Sequence, residues 1–361
     1  MDWKECDVMT RTIVVPLDGS ELAEKALPYA VALAKKTGAH LLLLSVVAPM
    51  ETWIAASGVY LSDERLAEEA DAAQRYLASV QERLGREDTR TSVLYGRAAA
   101  AIREVAEAEN AATIAMTTHG RSGLPRLVLG SVAGEVVRTS PTPVLLVPAG
   151  AGAGPEVTIR RVLVPLDGSE LSEAVLPEVR DIASRFDAEV ALLRVIVPPV
   201  ALFPEQVMPS SLPALAEIEA GAKAYLDDVV TKLHGDGIKA TAEVTIGYPA
   251  EAVLSAAADG KADLIAMSSH GRTGLGRLVL GSTADAVVRQ ARVPCFVARP
   301  AAVAAEQHLA EPAGVVEVIE GVSAARTIIP PPAFSEVPAS EAPEPTPTVV
   351  RPHRPDRPGK S

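Results

Sequence analysis

A chain of 361 residues, 48% hydrophobic and 22% charged, is long enough for about two domains and too apolar for disorder throughout. Its 46 carboxylates outnumber 34 Lys and Arg, giving a net charge of −12, and aromatic residues make up only 3%. Acidity on that scale and so few stacking faces argue against a nucleic-acid partner.

From the amino end, Asp2, Lys4, Glu5 and Asp7 make the first residues too charged for a secretory leader. The longest apolar runs, such as 41–49, reach about half a membrane span, so a cytoplasmic protein with no membrane partner is expected. Thr12–Leu17 is a short apolar run suited to a strand buried on both faces. Asp18 and Ser20 are both able to cap the helix that follows, with Glu21 and Glu24 near its positive end. Pro28 predicts an interruption of that helix. Leu41–Val47 reads as the second strand, and Leu66, Ala70, Ala73, Leu77, Val80 and Leu84 mark one face of a long amphipathic helix. A third strand is expected over Arg90–Tyr95, a helix after Gly96, and a fourth strand over Thr113–Met116. A glycine-containing loop to Ser131, a short helix and a last strand over Pro143–Val147 complete the set.

The chain then repeats itself. Thr12-Ile-Val-Val-Pro-Leu-Asp18-Gly-Ser-Glu-Leu22 returns as Arg161-Val-Leu-Val-Pro-Leu-Asp167-Gly-Ser-Glu-Leu171. His119-Gly-Arg-Ser-Gly-Leu-Pro-Arg-Leu-Val-Leu-Gly-Ser131 returns as His270-Gly-Arg-Thr-Gly-Leu-Gly-Arg-Leu-Val-Leu-Gly-Ser282. A period this long is a duplicated domain and not a solenoid repeat. The second copy carries Pro177 inside its first helix, the helical face Leu215, Ile218, Ala222, Tyr225, Val229 and Leu233, and strands over Ala240–Ile246, Leu264–Met267 and Pro294–Ala298. Cys6 and Cys295 match no disulfide or CxxC pattern, and Cys295, in the last of these apolar runs, reads as a small buried hydrophobe. Alternating strands and helices require parallel pairing with right-handed crossovers. The expected architecture is therefore two doubly wound α/β domains, 8–149 and 159–299, joined by a Gly/Ala linker at 150–158. Proline recurs through 300–361, where Phe334 is the one aromatic residue, and that tail is expected to be disordered. Its Pro-Glu-Pro-Thr-Pro stretch at 343–347 reads as an inert spacer, with an extended docking segment for a protein partner as the alternative.

In an open parallel sheet, ligands sit outside the carboxyl ends of the strands. Asp18 and Asp167 lie at that edge, as does the loop after the fourth strand. Gly120, Gly123 and Gly130 allow main-chain amides to approach an anion, and Gly130-Ser131 opens a helix whose dipole favours one. Ser131, Arg121 and Arg126 add donors. Gly271, Gly274, Gly281, Ser282, Arg272 and Arg277 repeat the set. A phosphate site is the stronger reading, a plain chain reversal the weaker, and no Walker A motif is present. No repeated carboxylate stands beside the loop to serve as a base, and His119 and His270 read as structural residues bonded to their own loops, so efficient catalysis is not expected.

Pro-Leu-Asp-Gly-Ser after the first strand, followed by Met-x-x-His-Gly, nine residues and Gly-Ser, resembles the universal stress protein family across both copies. The resemblance implies five-stranded parallel sheets of Rossmann-like, adenine nucleotide alpha hydrolase-like type. It also implies ATP, with or without Mg2+, at the carboxyl edge, and pairing of the two domains through their final strands. On that basis Asp18 and Asp167 would contact adenosine, with Pro16, Leu17, Pro165 and Leu166 lining its pocket and Val46 and Val195 near the base. Met116, Thr117, His119, Gly120, Arg121, Gly123, Gly130, Ser131 and Val132 would complete the first site. Met267, Ser268, His270, Gly271, Arg272, Gly274, Gly281, Ser282 and Thr283 would complete the second. Thr117 and Ser268 stand where the family's pattern has its first glycine. There a side chain either crowds the ligand or donates a hydroxyl to it, and Ala133 and Ala284 lack a usable hydroxyl. The implied function is an ATP-binding stress or regulatory protein whose occupancy alters its stability and association, with a homodimer as a further form. The alternatives are a nucleotide-free interaction scaffold of the same fold and a slow ATPase.

Overall fold

The computed structural model describes residues 11–47, 63–119, 129–151, 156–197, 211–270 and 280–300. The expectations for Cys6, for linker residues 152–155 and for the tail beyond 300 lie outside them.

The first copy runs β1 (Thr12–Pro16), α1 (Glu21–Glu24), α2 (Leu27–Thr37), β2 (His40–Val47), α3 (Asp63–Leu84), β3 (Thr89–Tyr95), α4 (Ala98–Ala108), β4 (Thr113–Thr117), α5 (Ser131–Thr139) and β5 (Val144–Val147). The second runs β6 (Arg161–Pro165), α6 (Glu170–Glu173), α7 (Leu176–Phe186), β7 (Glu189–Ile196), α8 (Ser211–Gly235), β8 (Ala240–Ile246), α9 (Pro249–Asp259), β9 (Leu264–Ser268), α10 (Ser282–Gln290) and β10 (Cys295–Ala298). The prolines act as expected. Each first helix stops after one turn, and a new one begins with Pro28 or Pro177 in its first turn, where a missing N–H costs nothing.

Among the described residues, ten strands share one sheet in the order β3-β2-β1-β4-β5-β10-β9-β6-β7-β8. Within each copy the pairing is parallel: Thr12 to Pro16 lie beside His40 to Leu44, and Ile13 and Val14 beside Thr113 and Ile114. At the centre, β5 and β10 pair antiparallel, Leu145 opposite Phe296, flanked by Leu146–Cys295 and Val144–Val297. The final strands therefore cover each other's edges, as the family resemblance implied.

Strand alternation sorts the core onto two faces. Ile13, Val15, Leu41 and Leu43 pack with Ala30 and Leu33 of α2 and Leu77 and Val80 of α3. This layer continues through Leu145 and Phe296 to Val162, Leu226 and Val229. On the other face Val14, Leu42, Leu44, Ile114 and Met116 meet Ile102 of α4 and Val136 of α5, a layer continuing to Ile265, Val253 and Val287. Cys295 is buried in this second layer, and burial pushes its thiol up to about 12. One periodicity misleads: Ile218 of α8 is exposed, and Leu226, adjacent to the expected Tyr225, is the fully buried contact.

Candidate functional site

The strand order reverses between β1 and β4, which opens a crevice at their carboxyl ends. Beyond β1 the chain must turn sharply, and Gly19 does so with φ at 84°, a left-handed conformation that side chains disfavour. Oδ1 of Asp18 accepts from the Ser20 amide at 3.0 Å and from the Ser20 hydroxyl at 2.6 Å. Ser20 Oγ in turn accepts from the Ala23 amide at 3.2 Å. Ser20 is thus the helix cap, and Asp18 holds it in place. In the second copy the matching distances, through Asp167, Ser169 and Ser172, are 2.9, 2.5 and 3.2 Å.

At the end of β4 the buried Thr117 hydroxyl donates to the His119 carbonyl at 2.5 Å. That proton is already in use, so of the two possibilities for a side chain here, crowding survives and donation to a ligand does not. Its counterpart Ser268 accepts from the His270 amide at 3.4 Å. Nδ1 of His119 lies 2.9 Å from Thr118 Oγ1, and Nδ1 of His270 lies 2.9 Å from Ser269 Oγ, so each histidine is tied to its own loop. Nε2 of His119 is buried with no hydrogen-bond partner among the described residues.

Two glycines expected to present free amides do something else. The Gly130 amide donates to the Thr118 carbonyl at 2.8 Å, and that of Gly281 to the Ser269 carbonyl at 2.9 Å. A Cβ on Gly130 would stand 3.1 Å from the same carbonyl oxygen, so glycine here permits two chain segments to cross closely. The donors left for an anion lie one residue on. The first internal bond of α5 runs from the Gly134 amide to the Gly130 carbonyl at 2.8 Å, leaving Ser131, Val132 and Ala133 without an acceptor in the helix, at its positive end. In α10 the first bond is Asp285 to Gly281, also 2.8 Å, which leaves Ser282, Thr283 and Ala284.

These parts enclose a cavity of about 200 Å³ in the first copy. Pro16, Leu17, Leu44, Val46 and Met116 give it an apolar side, closed by Ala98 and Ile102 of α4 and Ala23 of α1. Asp18, Thr117, Thr118 and His119 supply polar groups, and Gly130, Ser131, Val132 and Ala133 the helix end. Pro16, Leu17, Asp18, Val46, Met116, Thr117, His119, Gly130, Ser131 and Val132 are therefore brought together as the sequence suggested. Ala23, Leu44, Ala98, Ile102 and Thr118 were not foreseen. Thr118 fills a variable position of Met-x-x-His-Gly, and Ala98 and Ile102 had only the apolar face of α4 as a signal. Gly120, Arg121, Gly123, Gly271, Arg272 and Gly274 lie outside the described residues. Pro165, Leu166, Asp167, Val195, Met267, Ser268, His270, Gly281, Ser282 and Thr283 hold the corresponding positions along the second copy. Chemically, the first-copy cavity offers an apolar slot for a flat ring, a carboxylate to accept from hydroxyl or amine donors, and amides for an anion.

A family model described as the universal stress protein family matches residues 9–148 and 158–299. The chain is 34% identical over 143 residues to a universal stress protein of Methanocaldococcus jannaschii, covering 39% of this chain and 82% of that relative. It is 28% identical over 312 residues to one of Mycobacterium tuberculosis, covering 80% of this chain and 96% of that relative. Its fold is similar to the crystal structure of a universal stress protein from Archaeoglobus fulgidus, with a TM-score of 0.57 at 24% identity, covering 81% of this chain and 97% of that one.

Proposed function

The chain belongs to the universal stress protein family, and from that premise we propose that it binds an adenine nucleotide, ATP in the first instance, and that occupancy alters its stability and its association with partners. The observation that carries this reading is the cavity of about 200 Å³ joining Asp18, the apolar ends of β1, β2 and β4, and the first turn of α5. Adenine would lie against Val46, Leu44, Met116 and Ile102. Asp18 would accept from the ribose or the base, and the Ser131–Ala133 amides would receive phosphate oxygens, an arrangement favoured by the helix dipole. Hydrolysis forms no part of the proposal, because Asp18 stands at the adenosine end of this arrangement and not at the phosphates. The domains are proposed to span 8–149 and 159–299.

A ligand held only by the folded state raises stability by about 2.7 kcal/mol at a hundredfold excess over its dissociation constant. Thermal melting of nucleotide-free protein with and without millimolar Mg-ATP is therefore expected to show a rise of several degrees. An unmoved transition would defeat the reading and favour the nucleotide-free scaffold, to which the inward-turned Gly130 and Gly281 amides lend support.

A further inference from the structure

Among the described residues β8 is the last strand at its end of the sheet. Its Thr241, Glu243 and Thr245 lie beside Ala191, Leu193 and Val195 of β7, on the face of the second core layer. On that face α9 packs over β7 and β6, and Thr241 and Glu243 are exposed. Between the strand and the helix runs a half-open groove of about 780 Å³. Buried Ala191 and Leu193 lie in its apolar floor. Thr241, Glu243 and Thr245 form one wall, and Glu251, Ser255 and Asp259 of α9 the other. Short side chains make the room, since Ala191 stands where the first copy has Leu42 and Thr241 where it has Arg90.

The charge around this space is one-sided. Glu243 and Glu251 form no ion pair among the described residues, and Asp259 accepts from the Ser255 hydroxyl at 3.1 Å. Arg161, the cation of the groove wall, is already engaged by Glu189 at 3.7 Å. At the carboxyl end of β8 the groove is bordered by Ile246 and Tyr248, 42% and 61% exposed. Such large apolar side chains at a groove's rim gain by being covered.

Charge selects a cationic occupant, and shape selects an extended one. The six residues Thr241–Ile246 advance about 20 Å, so the volume corresponds to a cross-section of about 40 Å². An α-helix about 10 Å across needs about twice that, whereas an extended chain about 5 Å wide lies within it. Glu251 and Asp259 stand about 12 Å apart along α9, a distance that an extended chain covers in about four residues. Even spacing keeps those two side chains on one side of the chain. We propose that this groove docks an extended basic segment of a partner protein. Lys or Arg at two positions four apart would meet Glu251 and Asp259, and an apolar side chain would rest on Ile246 and Tyr248. The proposal is independent of the nucleotide reading, because the groove shares no lining residue with the first-copy cavity.

The test is fluorescence anisotropy of a labelled ten-residue peptide, two lysines four positions apart among Val and Thr, titrated with the full chain. Saturable binding is expected, at least tenfold weaker for the double variant E251Q/D259N and for Ala191→Leu, which fills the floor. A peptide of the same composition with adjacent lysines is expected to bind at least tenfold more weakly. The control variant E217Q/E219Q, altered at exposed positions of α8, should bind as the unmodified chain does. Absence of saturable binding, or an affinity unmoved by E251Q/D259N, would overturn the proposal. So would equal binding of the adjacent-lysine peptide or an equal loss in the control, since net charge alone would then explain the attraction. Glu251 and Asp259 are exposed, so their variant retains the fold and decides even where Ala191→Leu does not fold. Sedimentation completes the test: self-association of the full chain that E251Q/D259N abolishes would give the groove to a second copy and overturn the proposal.

Discussion

The two halves of this sheet agree at the strand centres and part at the strand ends and the turns beyond them. Leu77 in α3 and Leu226 in α8 are both fully buried at matching positions, and Ser20 and Ser169 cap their helices through the same bonds. Yet Ser172 stands where the first copy has Ala23, and Arg194 where it has Ser45. Shared chain geometry is thus no guarantee of shared chemistry, because the strand ends tolerate exchanges that the strand centres do not. In the centres, a change of one methylene is felt by tightly packed neighbours. At the edge, Arg194 stands where the first copy has Ser45, its guanidinium close against the turn at Gly168.

The comparison is open to attack at several strengths. Leu77→Ala and Leu226→Ala each delete a fully buried side chain and are expected to cost about 2–5 kcal/mol, with the two losses agreeing to about 1 kcal/mol. Urea unfolding measures them, and a large imbalance would show that the halves are not equivalent even in their cores. Next come the caps. Ser20→Ala and Ser169→Ala should each lose about 1 kcal/mol, by matching amounts, since both hydroxyls make the same two bonds. The smallest effect sharpens the comparison at the ends of α2 and α7. There the left-handed residue is Gly38 in the first copy, φ 72°, and Asp187 in the second, φ 52°. Asp187→Gly should stabilise the protein by about 0.5–1 kcal/mol, offset little by losing the exposed contact to Lys239. A loss on melting would mean that Asp187 has a role the backbone does not reveal.

Much of the fold was legible because the duplicated motifs fixed the period and the short apolar runs fixed the strands. Pro28 and Pro177 even marked where each first helix restarts. Ile218 was misread because helical periodicity continues past the point where the sheet stops, and spacing carries no information about where a partner surface ends. At the site, Asp18, Val46, Met116 and Ser131 could be placed because each adjoins a strand end or opens a helix. Ala98 and Ile102 could not, since they reach the cavity through tertiary packing of α4. The direction of the Gly130 amide was equally hidden. A glycine that bares its nitrogen to a ligand and one that lets two segments cross are the same letter. Arg194 was written in plain view, as a mismatch between the aligned halves, but its meaning depends on the turn it rests upon.

The ladder between β5 and β10 is two-fold symmetric about Leu145 and Phe296, the pattern two identical chains would make. Here both strands come from one polypeptide, so this junction cannot be lost by dilution and owes nothing to protein concentration. It also removes a genetic constraint. Identical subunits must change together, whereas tethered ones can drift separately, and an arginine gained by one half need never be inherited by the other.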